Sequence, residues 1–187
     1  VPENQPDKPS YLGLLNAIAV AEAEAEVFLH CWADATPRDD VRQVLRTVAL
    51  REGEHAKAFE KRVCELGFEL RPGVPDQDRA AVAASTTLTD REKFEKLGLG
   101  GEAGDGPDVF AGMFADTTID IQTGALLGRY IAEERDSGRM FRACYQALCA
   151  EGNGSGPGSD MADVNERLDR IEAALEKLAK PAGRKKK

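Results

Sequence analysis

The sequence predicts an all-α fold: an antiparallel four-helix bundle with a long crossover, followed by a coiled-coil-like C-terminal helix. Three observations carry this. Residues 11–35 and 41–66 each place apolar side chains at spacings of three and four, the period of one helix face. Residues 69–108 are dense in Gly and Pro at both ends and are long enough to cross over between two helical pairs. Residues 161–180 repeat Val164, Leu168, Ile171, Leu175 and Leu178 at heptad spacing.

Taken in order, residues 1–10 contain three prolines and no periodicity, so they read as an extended leader, with Ser10 as N-cap of the first helix. That helix runs to Ala35, where Thr36-Pro37 ends it. Asp39 or Asp40 starts the second and Gly67 closes it. Within the crossover only short helices are expected; Thr89-Asp90-Arg91-Glu92 fits a capping box and Gly98 its stop. A third helix over 109–134 has Phe110, Phe114, Ile121, Leu127 and Ile131 for packing. A fourth over 138–151 has Met140, Phe141, Cys144, Tyr145 and Leu148. The bundle is thus expected at 11–151, a Gly/Ser/Pro linker at 152–160, an amphipathic heptad helix at 161–180 and a basic tail at 181–187. The heptad helix is under three heptads, marginal alone. It must therefore find a partner surface, and its Leu-at-a, Ile/Val-at-d pattern favours assemblies beyond a dimer.

The first two stripes are interrupted by polar groups. In the first helix Leu15, Ile18, Glu22, Ala25, Leu29 and Trp32 share a face; in the second, Val41, Leu45, Val48, Glu52, His55, Phe59 and Leu66 do, with Val63 close by. An uncompensated buried carboxylate costs several kcal/mol or more, so each Glu needs a partner, a proton or a metal. Glu52 and His55 have the E-x-x-H spacing that presents a carboxylate and an imidazole together. Joined by a short turn, the two helices would bring Glu22 towards that pair. Glu26, one turn above Glu22, and His30 continue the line; Glu26 is a further candidate ligand and His30 is expected in a flanking or surface role, whereas Glu24 and Glu54 point away.

At Glu22 and Glu52-Gly53-Glu54-His55-Ala56, residues 11–68 resemble the ferritin-like superfamily, the rubrerythrin-type four-helix bundles with di-iron or di-manganese carboxylate centres. The resemblance implies Glu22 as a terminal or bridging ligand, Glu52 as bridging and His55 as terminal. It also implies iron, with manganese as the alternative, and an oxidase, peroxidase or iron-handling activity, hence an iron-dependent oxidoreductase. It further implies a mirror set in the second half, which the chain does not supply: Glu151 aligns with Glu52, but Gly154 aligns with His55, and no His follows His55. Asp116, Asp120, Glu133, Glu134 and Glu151 are substitute carboxylates. Asp120 is favoured among them, on a stripe of Met113, Thr117, Asp120, Gly124, Leu127 and Ile131. A two-fold dimer bringing two copies of Glu22, Glu52 and His55 together is the other route to a complete centre.

Composition narrows the alternatives. The formal net charge of −8 does not suit a general nucleic-acid binder. No apolar run approaches the eighteen or so residues of a membrane span, and no signal-peptide pattern is present, so a cytoplasmic protein is expected. The four cysteines form no C-x-x-C pair and read as small apolar fillers. The competing class is a metal-free scaffold: Glu22, Glu52 and His55 would form a hydrogen-bonded cluster with Arg62 or Arg129. In that reading the protein works as a homo-oligomer, or with a protein partner, through residues 161–180.

Overall fold

The computed structural model describes residues 7–101 and 110–153. The chain divides into two compact units, Val1–Cys149 and Ala150–Lys187; packing is described for the first. The heptad helix, the basic tail and residues 154–160 of the expected linker lie outside the described residues, while residues 152 and 153 belong to the last helix. All regular structure among the described residues is helical: α1 Leu12–Ala35, α2 Asp39–Glu65, α3 Gln77–Ala84, α4 Asp90–Leu97, a 3-10 turn Ala111–Phe114, and α5 Ile121–Asn153. No described helix is long and apolar enough to cross a membrane.

α1 and α2 form the antiparallel hairpin that the paired stripes predict, and Leu15, Ile18, Leu29, Trp32, Val41, Leu45, Val48, Phe59 and Val63 are all buried. Arg42 from α2 seals the turn. Its guanidinium donates to the carbonyls of Ala33 (3.1 Å) and Thr36 (2.6 Å), satisfying acceptors that the end of α1 leaves open. Ser10 does not cap α1, whose N-cap is Tyr11 without a side-chain cap bond; its hydroxyl instead bonds Asp116 and Thr118.

The short elements brace this hairpin. Asp76 caps α3, accepting from the amides of Asp78 and Arg79. At α4 the capping box between Thr89 and Glu92 is formed, and Gly98 ends the helix with φ +68°, a left-handed conformation that costs Gly nothing. α4 inserts Phe94 against Trp32, with ring centroids 4.8 Å apart, and against Phe141. Asp90 accepts from Trp32 Nε1 (2.7 Å) and Thr36 Oγ1 (2.6 Å). The buried Lys93 ammonium donates to the Ala83 carbonyl (2.8 Å) at the end of α3.

The second half departs from expectation. In place of a third helix over 109–134 and a fourth over 138–151, one 33-residue helix runs from Ile121 to Asn153, about 50 Å at 1.5 Å per residue. Ser137-Gly138 is no break. Ser137 is buried and receives the Arg51 guanidinium at 3.3 Å, while Asp136 pairs with the same group at 2.8 Å. A mid-helix Gly costs only about 1 kcal/mol, less than the packing of Ile131 on one side and Phe141 on the other contributes. Upstream, residues 110–120 form the 3-10 turn and irregular backbone, so Met113, Thr117 and Asp120 belong to no inward helical stripe; Ile121 is 91% exposed. The four-helix arrangement is therefore replaced, among the described residues, by three long helices with two short ones.

Buried apolar residues form two clusters. One gathers Phe28, Leu29, Trp32, Val41, Leu45, Phe94, Phe141 and Leu148; the other gathers Leu15, Ile18, Ala19, Phe59, Val63, Leu127, Tyr130 and Ile131. Between them all three long helices change from apolar to polar: Glu22 on α1, Glu52 and His55 on α2, and Glu134 with Ser137 on α5.

Candidate metal centre

Helical period places each of these groups. On α1 and α2 the positions facing the neighbour are Glu22, Glu52 and His55, and they are 6%, 5% and 3% exposed. The convergence expected of them is present, and α5 adds Glu134. One ligand atom from each of Glu22, Glu52, His55 and Glu134 lies within 4.8 Å of the others. His55 Nδ1 stands 3.5 Å from Glu134 Oε1, 3.7 Å from Glu52 Oε2 and 3.9 Å from Glu22 Oε2. These separations exceed hydrogen-bond length. Ligands about 2.1 Å from a common cation would sit roughly 3–4 Å apart.

Three of the converging atoms, Glu22 Oε2, His55 Nδ1 and Glu134 Oε1, are buried without a hydrogen-bond partner. Such orphans are rare in native interiors. On Glu22 and His55 the remaining polar atom is engaged. Glu22 Oε1 accepts from the Tyr130 hydroxyl at 2.8 Å. His55 Nε2 is 2.7 Å from Glu133 Oε2, and Glu133 Oε1 accepts from Arg129 Nε at 3.0 Å. An imidazole whose Nε2–H donates to a carboxylate presents the Nδ1 lone pair on its other side when neutral, the arrangement by which an outer carboxylate orients a ligating His. Tyr130 and Phe59 wall the site, with His55 and Tyr130 ring centroids 5.1 Å apart, edge to face.

Charge is strongly redistributed here. Burial pushes the Glu52 carboxyl up to about 9, and the neighbouring Glu22 charge adds to the rise. Burial acts the same way on Glu22, but the nearby His55 and Glu52 groups and the Tyr130 hydroxyl outweigh it and hold that carboxyl below its ordinary value. For His55 burial pulls down, yet the surrounding carboxylates of Glu134, Glu22, Glu52 and Glu133 raise it to about 12. Without a cation these shifts leave Glu22 ionised, Glu52 protonated and His55 an imidazolium. A bound cation would replace the two protons.

The other sequence candidates stand elsewhere. Asp120 caps α5, accepting from the amides of Gln122 and Thr123 and from the Thr123 and Tyr11 hydroxyls, and it pairs with Arg62 at 3.0 Å. Those bonds outweigh burial and hold its carboxyl well below the usual range. Its lone pairs serve the helix start, not the cluster. Glu26 is half-buried across the backbone of Gly53; a Cβ there would fall 2.4 Å from its carboxylate, so this close approach needs the glycine. It is outside the group of four. Asp116 bonds Ser10 and Thr118, and Glu151 is exposed. Neither Arg62 nor Arg129 enters the cluster: Arg62 serves Asp120, Glu65 and Thr123, and Arg129 serves Glu133 and Glu54.

Glu134, Glu133 and Tyr130 are the positions at this cluster that sequence reasoning placed too low or missed. A signal existed: Leu127, Ile131, Glu134, Gly138, Phe141, Tyr145 and Leu148 keep three-and-four spacing through residue 138, and Glu134 interrupts this stripe as Glu22 and Glu52 interrupt theirs. Reading a helix break at 135–137 hid it. No protein-family model, curated protein or solved structure matches the chain. What the fold and site define is a helical protein with a buried Glu/His group able to take a metal ion.

Proposed function

We propose that the protein binds one divalent transition-metal cation, iron or manganese, through Glu22, Glu52, Glu134 and His55 Nδ1, in the manner of a ferritin-like centre reduced to a single metal position. The observation that carries this is the set of three buried, unpartnered atoms aimed at one point. Three carboxylate oxygens and one imidazole nitrogen suit iron, manganese or zinc better than thiophilic metals. Two cations about 3.5–4 Å apart would need a second ligand set, and among the described residues one such group is gathered, Glu22, Glu52, His55 and Glu134. α5 of the same chain provides the fourth ligand, so this reading needs no two-fold partner to complete the site.

Bound iron would supply one-electron chemistry at an open coordination position, the basis for reading the protein as an oxidoreductase or an iron-handling protein. The chain's own groups hold and orient: Tyr130 fixes Glu22 by donating to Oε1, and Glu133 fixes the imidazole through Nε2. Tyr130 packs edge to face on the His55 ring, and Phe59 packs edge to face on Tyr130, which holds the imidazole in place. Assembly as a homo-oligomer through residues 161–180 is part of the same proposal and rests on their heptad pattern.

Elemental analysis after loading chelator-treated protein with iron or manganese tests the reading. About one cation per chain is expected, with loss of uptake in Glu52→Ala and His55→Ala. Uptake no greater than in those variants would leave the second reading, a metal-free scaffold. The charge balance of Glu22, Glu52 and His55 without a cation favours that alternative.

A further inference from the structure

Two cavities reach the four converging side chains, and they differ in size and in which of the four they touch. On the His55 side a cavity of about 280 Å³ is lined by His55, Tyr130, Ala58 and Leu126 together with the charged Glu54, Lys57 and Arg129. On the Glu22 side a cavity of about 640 Å³ touches Glu22, Glu52 and Glu134 between walls that include Ala25, Phe28, Leu70, Pro72, Leu99 and Phe141. Its size is that of a small-molecule site, commonly 300–1,000 Å³ and mostly apolar with a few convergent polar groups.

We propose that this larger cavity binds a neutral, largely apolar small molecule whose oxygen head group turns towards Glu22 and Glu134. The head-group half of the proposal rests on the cation reading above; the cavity half does not. A path serving only cations would gain nothing from hydrocarbon walls, because stripping an ion of water against them costs several kcal/mol. The walls are also built in place. The segment 70–76 is tied to α1 by Asn16, whose side chain accepts from the Arg71 amide (2.7 Å) and donates to the Arg71 carbonyl (3.1 Å). Two residues on, Gly73 lies so close to α1 that a Cβ would fall 2.3 Å from Val20 Cγ1. Ala21 and Ala25 on α1 keep the floor low where larger side chains would fill it.

Charge selects the head group. The inner end carries three carboxyl groups, two of which present the unpartnered atoms Glu22 Oε2 and Glu134 Oε1. An anionic head group would meet like charge there. A hydroxyl can donate to a carboxylate in the cation-free protein and can coordinate a cation in the loaded one. At the exposed rim the Arg79 guanidinium lies 5.0 Å over the Phe28 ring, with Glu24 and Asp76 nearby, so the mouth carries both signs.

The experiment uses the full chain, chelator-treated or loaded with cobalt(II), and titrates 1-octanol by calorimetry and ligand-observed NMR, with octanoate as the charged comparator. Octanol is expected to bind both forms, to change the visible spectrum of the cobalt form, and to bind at least tenfold more tightly than octanoate. Ala21→Trp and Ala80→Trp, at exposed positions lining the cavity, should each weaken octanol at least tenfold while leaving cobalt stoichiometry unchanged. The proposal is overturned if octanol binds neither form, if neither Trp variant weakens it, or if octanoate binds as tightly. Cobalt uptake and octanol binding are read separately. Octanol binding with Trp sensitivity but no cobalt uptake supports the cavity and overturns the cation reading; cobalt uptake without octanol binding does the reverse.

Discussion

Raising the pH should destabilise the cation-free protein across the range where most carboxylate-rich proteins are insensitive. Glu52 is raised from an ordinary value of 4.5 to about 9, and His55 from 6.5 to about 12. In both cases the folded state holds a proton that the unfolded chain releases. Each contribution is fully present below the unfolded value and is lost as pH climbs towards the folded one. Each such proton is worth about 1.4 kcal/mol per pH unit. Between pH 7 and 8.5 Glu52 alone accounts for about 2 kcal/mol and His55 for a similar amount, a large part of a typical 5–15 kcal/mol total. Glu22, held low, is ionised in both states throughout this window and adds no slope. The assay is urea unfolding of chelator-treated protein at half-unit steps from pH 6.5 to 8.5. Glu52→Gln keeps the shape of the side chain, removes one titrating site and should cut the slope by about half. In the cation-loaded protein the dependence should nearly vanish, because the cation has displaced the same two protons and the unfolded chain holds neither above about pH 7. A cation-free stability that is flat or rising over this range would refute the assigned protonation of the cluster.

Three further outcomes are expected. Glu133→Gln retains the hydrogen bond to His55 in geometry but not in charge, and should weaken cation affinity roughly 10–100-fold without changing the stoichiometry in an equilibrium dialysis titration. Asp90→Ala strands the Trp32 and Thr36 donors and leaves the buried Lys93 ammonium without its neighbouring carboxylate; a loss of about 2–4 kcal/mol is expected by denaturant unfolding, with cation uptake intact. Deleting residues 161–187 should lower the molar mass measured by light scattering to that of a smaller assembly while cation uptake per chain is unchanged; an unchanged assembly size would refute the role given to the heptad helix.

The sequence by itself determined the first helical pair almost completely. Helical period fixes which side chains share a face, so burial of Leu15, Ile18, Leu29 and Trp32, or of Val41, Leu45, Val48 and Phe59, implies burial of Glu22, Glu52 and His55 between them. Local chemistry was equally readable where it closes within a few residues, as in the Thr89–Glu92 capping box and the Gly98 stop. Tertiary structure alone decided the rest. Whether Ser137-Gly138 ends a helix depends on a difference of about 1 kcal/mol in local preference, and the contacts of Arg51 with Ser137 and Asp136 come from a helix far away in sequence. The same long-range packing set Asp120 to cap α5 and aligned Glu134 with the α1–α2 pair. It also gave Glu133 the imidazole Nε2 to hold. Periodicity names the face of a helix; which faces meet, and which carboxylate of several fills the last position around a point, is settled only by packing between distant segments.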